Sequence, residues 1–160
     1  VQGRISYQQY VPAPGSLGFG WYAEMFLSNK ELFSNYTSSL LSAATFDVVP
    51  EVRTLFLSNY RANMFAVIGG QAMYDIRKNV IFRAEAYVFQ PFRDIILQQD
   101  NTPGLGPWFA TRDLLLSAAV VAHTPVGPIS LGLNYFGKND NKFSFSFNFG
   151  YLIFNNKALR

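Results

Sequence analysis

Near the C-terminal end phenylalanine alternates with small polar residues in KFSFSFNFGYLIF, from Lys142 to Phe154. Side chains of a β-strand point to opposite faces in turn. Phe143, Phe145, Phe147, Phe149 and Tyr151 therefore share one large apolar face, while Ser144, Ser146, Asn148 and Gly150 form a small polar one. Two architectures accommodate such a strand. A soluble sandwich turns the aromatic face into its core, and a transmembrane barrel turns it to lipid with a watery lumen behind.

Composition separates the two. The chain of 160 residues has 16 Phe, 9 Tyr and 2 Trp, and 14% of it is charged, against roughly 25% in ordinary soluble domains. Half of it is hydrophobic, yet no apolar run approaches the roughly 18 residues of a membrane helix. Apolar residues broken by alternation fit a membrane β-barrel. A net charge of +3 with scattered Lys and Arg argues against nucleic acid as a partner. The absence of cysteine removes disulfides, thiolate catalysis and zinc–thiolate sites. The chain opens on VQGRISYQQY without a start Met or a signal segment, which reads as a trimmed piece of something longer.

Turn signals divide the chain into about eight antiparallel strands in a single domain, residues 1–160. The first, Arg4 to Tyr10, is weak. The second, LGFGWYAEMFLS, puts Leu17, Phe19, Trp21, Ala23, Met25 and Leu27 on one face. A third is expected near Tyr36 to Phe46 and a fourth at about Ala62 to Tyr74, ahead of a DIRKN turn. In the fifth, Val80, Phe82, Ala84, Ala86 and Val88 are wholly apolar, whereas Arg83 and Glu85 stand opposite. Pro91 to Pro107 reads as the longest polar loop. A sixth strand covers about Phe109 to Ala122. The seventh, PISLGLNYF, alternates Ile129, Leu131, Leu133 and Tyr135 with small or polar residues, and a GKNDN turn leads into the phenylalanine strand.

Catalytic signals are missing. No Gly-x-Ser-x-Gly elbow occurs, and the lone His123 has no second His or Cys beside it, so it reads as a turn residue. Ile68-Gly69-Gly70 and Gly104-Leu105-Gly106 lack the following Lys-Ser/Thr of a phosphate loop; Gly69 and Gly70 read as residues that relieve crowding or permit curvature in a barrel wall. Asp47, Glu51, Asp94, Asp100 and Asp113 match no calcium-loop spacing and read as solvated loop or strand-end residues. Trp21, Tyr22, Trp108 and Tyr135 suit aromatic belts at a membrane surface. The expectation is no enzyme, no metal and no cofactor in this chain.

HTPVGPISLGLNYFGKNDNKFSFSFNFGYLIFN resembles the closing strands of the outer-membrane barrel superfamily that contains BamA, TamA and the two-partner secretion transporters. There a Thr-Pro-x-Gly-Pro turn precedes the penultimate strand, and an alternating aromatic strand closes the barrel. TLFLSNYRANMF, FRAEAYVFQPF and FGYLIFNNKAL look like the C-terminal barrel of patatin-like phospholipase proteins, over roughly Val48 to Leu159. The resemblance implies the C-terminal half of a sixteen-stranded barrel in a bacterial outer membrane, anchoring or exporting an upstream lipase domain. It implies as partners the outer-membrane lipid, the remaining barrel strands of the same or another chain, and the barrel assembly machinery.

It also implies a lumen-inserted loop before the fourth strand. The superfamily's Val-Arg-Gly-Phe motif is represented here by Tyr60-Arg61-Ala62-Asn63, with only the arginine matching. The arginine's partner is an inward acidic residue, in this chain Glu85. A bidentate Arg61–Glu85 pair would pin the loop, with Arg83 a competitor on the same face. The turn Thr124, Pro125, Gly127, Pro128 and the DIRKN turn would face the periplasm, and GKNDN and the Pro91–Pro107 connection the outside. Phe154 would mark the closing strand for the assembly machinery. Two other readings remain open, a barrel of a BamA/TamA-type assembly or secretion translocase and a self-contained eight-stranded outer-membrane protein.

Overall fold

The structure is a computed structural model that describes residues 1–13, 15–125, 127–138 and 142–150. The chain begins with β1 (Gln2–Pro12) and β2 (Leu17–Ser28). An inserted segment follows, holding α1 (Tyr36–Ser42), β3 (Ala44–Thr45), α2 (Pro50–Thr54), a 3-10 turn at Ser58–Tyr60 and β4 (Arg61–Ala62). Then come β5 (Phe65–Arg77), β6 (Val80–Pro91), β7 (Arg93–Leu97), β8 (Pro103–Trp108), β9 (Asp113–Thr124), β10 (Gly127–Phe136) and β11 (Phe143–Phe149). The molecule is mostly β, and its main body is one antiparallel seven-stranded sheet in the order β1-β2-β5-β6-β9-β10-β11. Every neighbour in that sheet is also the next long strand along the chain, so it is a plain meander. Among the described residues β1 and β11 are its two unpaired edges, and no barrel closes.

The ends of the sheet differ. At one end β5 meets β6 through Lys78–Asn79, and β1 meets β2 around 13–16. At that end too β9 turns into β10, with the Thr124 hydroxyl donating to the Gly127 carbonyl at 2.6 Å. Gly127 has φ +129, a conformation that only glycine adopts without strain, which explains its place in the turn. At the other end the connections are longer. The inserted segment, 29–64, joins β2 to β5, and a second excursion, 92–112, joins β6 to β9.

Period-two alternation is kept across the sheet except at the bulge of β5 between Asp75 and Arg77. One row runs Gln8, Tyr22, Gly69, Tyr87, Leu115 and Phe136; the next runs Tyr10, Gly20, Gln71, Glu85, Ser117, Asn134 and Ser144. All of these point to the inner face, which carries the inserted segment. The core forms between them from Tyr22, Phe26, Phe65, Tyr87, Phe89, Leu115 and Phe136 of the wall and Phe46, Val49, Val52, Leu57 and Tyr60 of the segment. The opposite, outer face is uncovered.

Three expectations need correction. The third strand, Tyr36 to Phe46, is mostly helix: Asn35 caps α1, its Oδ1 accepting from the Ser38 amide at 3.2 Å, and only Ala44–Thr45 pair as strand. A Ser/Thr/Ala-rich stretch has no period for either structure, and a local cap decides it. The Pro91–Pro107 loop is instead a β7–β8 hairpin, in which Arg93 donates to the carbonyls of Gly106 and Leu105 at 2.8 and 2.9 Å. At its tip the Thr102 amide and hydroxyl both donate to Asp100, holding that carboxyl below its ordinary range. The DIRKN turn is tighter than expected, since Asp75–Arg77 belong to β5. Tyr151 and Phe154 lie outside the described residues, as do Val126 and most of the GKNDN turn.

Candidate functional site

The outer face is the first functional surface. Reading the register outward from β2, it collects Leu17, Phe19, Trp21, Ala23, Met25 and Leu27, then Ile68 and Tyr74 of β5, Phe82 and Val88 of β6, and Leu114 and Val120 of β9. Ile129, Leu131, Leu133 and Tyr135 of β10 and the four phenylalanines of β11 complete it. Among the described residues the register places one charged side chain on this face, Arg77, which pairs with Val80 beyond the bulge of β5 at the short-turn end. Phe143, Phe145, Phe147 and Phe149 are exposed, Phe145 by 83%. Burying four such rings is worth about 1.5–3 kcal/mol each, so water is a poor solvent for this face. Its middle is lower than its flanks: Gly70, Ala72, Ala84 and Ala86 floor an apolar hollow of about 1270 Å³, walled by Phe19, Trp21, Leu133 and Tyr135.

The inner face is divided along the strands. Its half nearest the inserted segment is aromatic. Phe46 reaches down onto the wall, its ring centroid 6.1 Å from Tyr22, 5.3 Å from Tyr87 and 6.3 Å from Phe89. Tyr60 lies against Phe89 and Phe136 and donates to the Leu114 carbonyl at 2.9 Å. Burial, together with the nearby Asp113 charge, pushes the Tyr60 phenol well above its ordinary value. Tyr22, expected in a membrane belt, belongs instead to this core, and its hydroxyl donates to Glu24. Burial of its ring overrides belt chemistry because its row faces inward.

The other half is polar and open. Gln8 donates to Gln71 at 3.2 Å, Gln71 donates to the Tyr87 hydroxyl, and Arg83 pairs with Glu85 at 3.1 Å. Arg4 binds the edge strand to the segment: its Nε is 3.1 Å from Glu24, and its two terminal nitrogens bond Asp47 and the Thr45 carbonyl. Sequence reasoning missed this clamp, because nothing in the weakly patterned β1 marks Arg4 as an inward residue until its register against Phe26 is known.

Arg61 and Glu85 are not brought together. In the two-residue ladder of β3 and β4, Ala62 takes the core position and Arg61 the opposite side. There Arg61 lies over the Phe56 ring at 4.3 Å, donates to the Leu41 carbonyl at 3.3 Å, and borders a small cleft with Asp94, Asp113 and Lys138. Glu85 takes the competitor Arg83, two residues away on the same face. Its side chain is 5% exposed while that of Arg83 is 46% exposed, so Arg83→Ala leaves a buried carboxylate without its cation. The expected loss is about 1–2 kcal/mol of stability, below the fully buried case because the arginine is half in water. Adding Glu85→Gln should restore most of it, which a denaturation midpoint for each variant will measure.

Among the described residues no group of three His, Cys, Asp or Glu gathers. His123, at the end of β9, is exposed, and its amide bonds the Asn79 carbonyl at 2.7 Å. Comparison with known proteins finds no matching family model, no matching curated protein and no matching solved structure.

Proposed function

We propose that this chain is part of the wall of an outer-membrane β-barrel together with the segment that fills its lumen, and that it serves as the membrane anchor of a patatin-like phospholipase protein. The observation that carries the membrane reading is the outer face: seven adjacent strands whose one charged side chain among the described residues, Arg77, stands at the short-turn end, beside an inner face whose half away from the inserted segment holds amide, hydroxyl, carboxylate and guanidinium groups. Lipid on one side and water on the other accounts for both faces at once. In lipid an unpaired strand edge is costly, so the edges of β1 and β11, unpaired among the described residues, support a share of a larger wall over a self-contained barrel. Short turns at one end and long excursions at the other support the periplasmic placement of Lys78–Asn79 and of the turn at Thr124, Pro125, Gly127 and Pro128. The lipase assignment rests on the sequence resemblance over Val48 to Leu159, and the chemistry of that lipase belongs to residues upstream of this wall.

Phe145→Arg tests the membrane reading by the sign of its effect. On a lipid-facing strand an arginine near mid-depth costs about 2–4 kcal/mol. It should lower both the folded yield in outer membranes and the urea midpoint in phosphatidylcholine vesicles. On a water-facing strand the same change at so exposed a side chain should leave stability within about 0.5 kcal/mol and improve solubility. The second outcome overturns the membrane reading.

A further inference from the structure

The small cleft that Arg61 borders lies where the inserted segment meets the long-connection end of the wall. It measures about 130 Å³, and Tyr36 and Ser58 of the segment, Asp94 of β7, and Thr111, Asp113 and Lys138 of the wall stand around it. Asp113, expected as a solvated strand-end residue, opens β9 on the inner face opposite Phe89, and its side chain is 3% exposed. Its Oδ1 is shut off from water and accepts no hydrogen bond. The Lys138 ammonium stands 3.7 Å away, beyond the roughly 3.2 Å of a hydrogen bond. That lysine is 44% exposed, so it neutralises the carboxylate loosely and can turn into water at little cost. A buried carboxylate oxygen without a donor is rare, and a bound ion is one of the few things that explain it.

We propose that this cleft is a calcium site, with Asp113 and Asp94 as its charged ligands and Lys138 as the resident cation that calcium displaces. One oxygen of Asp94 accepts from the Thr111 hydroxyl at 2.8 Å, which leaves the other for a metal ion. Ser58 and Tyr36 border the same space and can supply neutral hydroxyl oxygens. Charge favours the exchange. With Lys138 turned outward, two carboxylates face one guanidinium, and Arg61 is already engaged with the Phe56 ring and the Leu41 carbonyl. A divalent ion is drawn to that surplus more strongly than a single ammonium is. The ligands come from separate elements and form no fixed octahedron, which suits calcium and not magnesium. Two carboxylates and a few hydroxyls place the site among weak ones, with a dissociation constant of about 10⁻⁴–10⁻³ M. The ion would tie the β7–β8 hairpin to the start of β9. None of this depends on the membrane reading.

Equilibrium dialysis of the full-length protein against radioactive calcium, in a zwitterionic detergent, tests the site. Asp113→Asn should lose one bound calcium per chain relative to the unchanged protein, and so should Asp94→Asn. Lys138→Gln should keep that calcium and bind it about two- to fivefold more tightly, because a competing cation has gone. The lysine variant also decides by stability. Its urea midpoint should fall in the presence of a chelator and recover with calcium at several times the dissociation constant. A midpoint that falls and does not recover makes the Asp113–Lys138 pair merely structural and overturns the site. Equal calcium uptake in the unchanged protein, Asp113→Asn and Asp94→Asn overturns it too, since any bound ion then sits elsewhere. Asp94→Asn keeps the test decisive if Asp113→Asn fails to fold, because Asp94 is only partly buried.

Discussion

Gly69→Ala should unseat the wall, whereas the same change at the neighbouring Gly70 should be tolerated. A Cβ at Gly69 would lie 2.1 Å from Cδ1 of Tyr87 and 2.8 Å from the Ala86 carbonyl oxygen, well inside contact distance. The ring cannot simply turn aside. Tyr87 is fully buried, meets Tyr22 edge-on at 5.8 Å across the bare glycine, carries Phe46 on top, and accepts a hydrogen bond from Gln71. The backbone oxygen is fixed by the β5–β6 ladder. Gly69 is thus the gap that lets two tyrosines from β2 and β6 touch over the intervening strand. Overpacking there should cost about 3 kcal/mol, the upper part of the usual range. A Cβ at Gly70 points to the outer face and meets only the Gly20 carbonyl, at 4.0 Å. Gly70→Ala should therefore be neutral or stabilise by about 0.5 kcal/mol, through the lower entropy of the unfolded chain. Urea titration of both variants in the same vesicles decides the matter. Equal midpoints would mean that the tyrosine rows do not pack as described.

The two glycines also show what a sequence can and cannot reveal. Relief of crowding, expected of both from their place in an apolar strand, holds at Gly69 and not at Gly70, and only the row across the sheet tells them apart. The strand faces themselves were legible because one face of each long strand stays apolar along its length while polar residues fall on the other. In β2, β6, β10 and β11 the expected and observed alternations coincide residue by residue. Legibility fails where period two gives way to local chemistry. Asn35 turns Tyr36–Ser42 into a helix too short for a 3.6-residue period to register. Prolines and glycines within Pro103–Trp108 disguise a hairpin arm that Arg93 ties to its neighbour. The partner of Glu85 was open between Arg61 and Arg83, and the nearer arginine on the same strand takes it. Only the three-dimensional position of β4, held by its ladder to β3, sends Arg61 elsewhere.

With Arg61 directed away from Glu85, the inserted segment must be held chiefly by burial, and Phe46 carries the largest share. It is fully buried and is the one segment residue whose ring touches Tyr22, Tyr87 and Phe89 together. Phe46→Ala should cost about 3–5 kcal/mol, the usual range for truncating a buried aromatic ring. The loss should fall on the segment before the wall. The β5–β6 ladder keeps its backbone pairs without Phe46, while the segment is left with the smaller anchors Val49, Val52 and Leu57, with Tyr60, and with the polar ties from Arg4 to Asp47 and Thr45. Hydrogen exchange should therefore show protection lost over 36–62 and kept over Phe65–Arg77 and Val80–Pro91. Phe46→Leu, which refills most of the space, should recover the greater part of that protection. Loss of protection in the segment and both strands together would instead make segment and wall one cooperative unit. Retained protection in Phe46→Ala would move the anchoring to the Arg4 clamp, and Arg4→Ala would then release the segment alone.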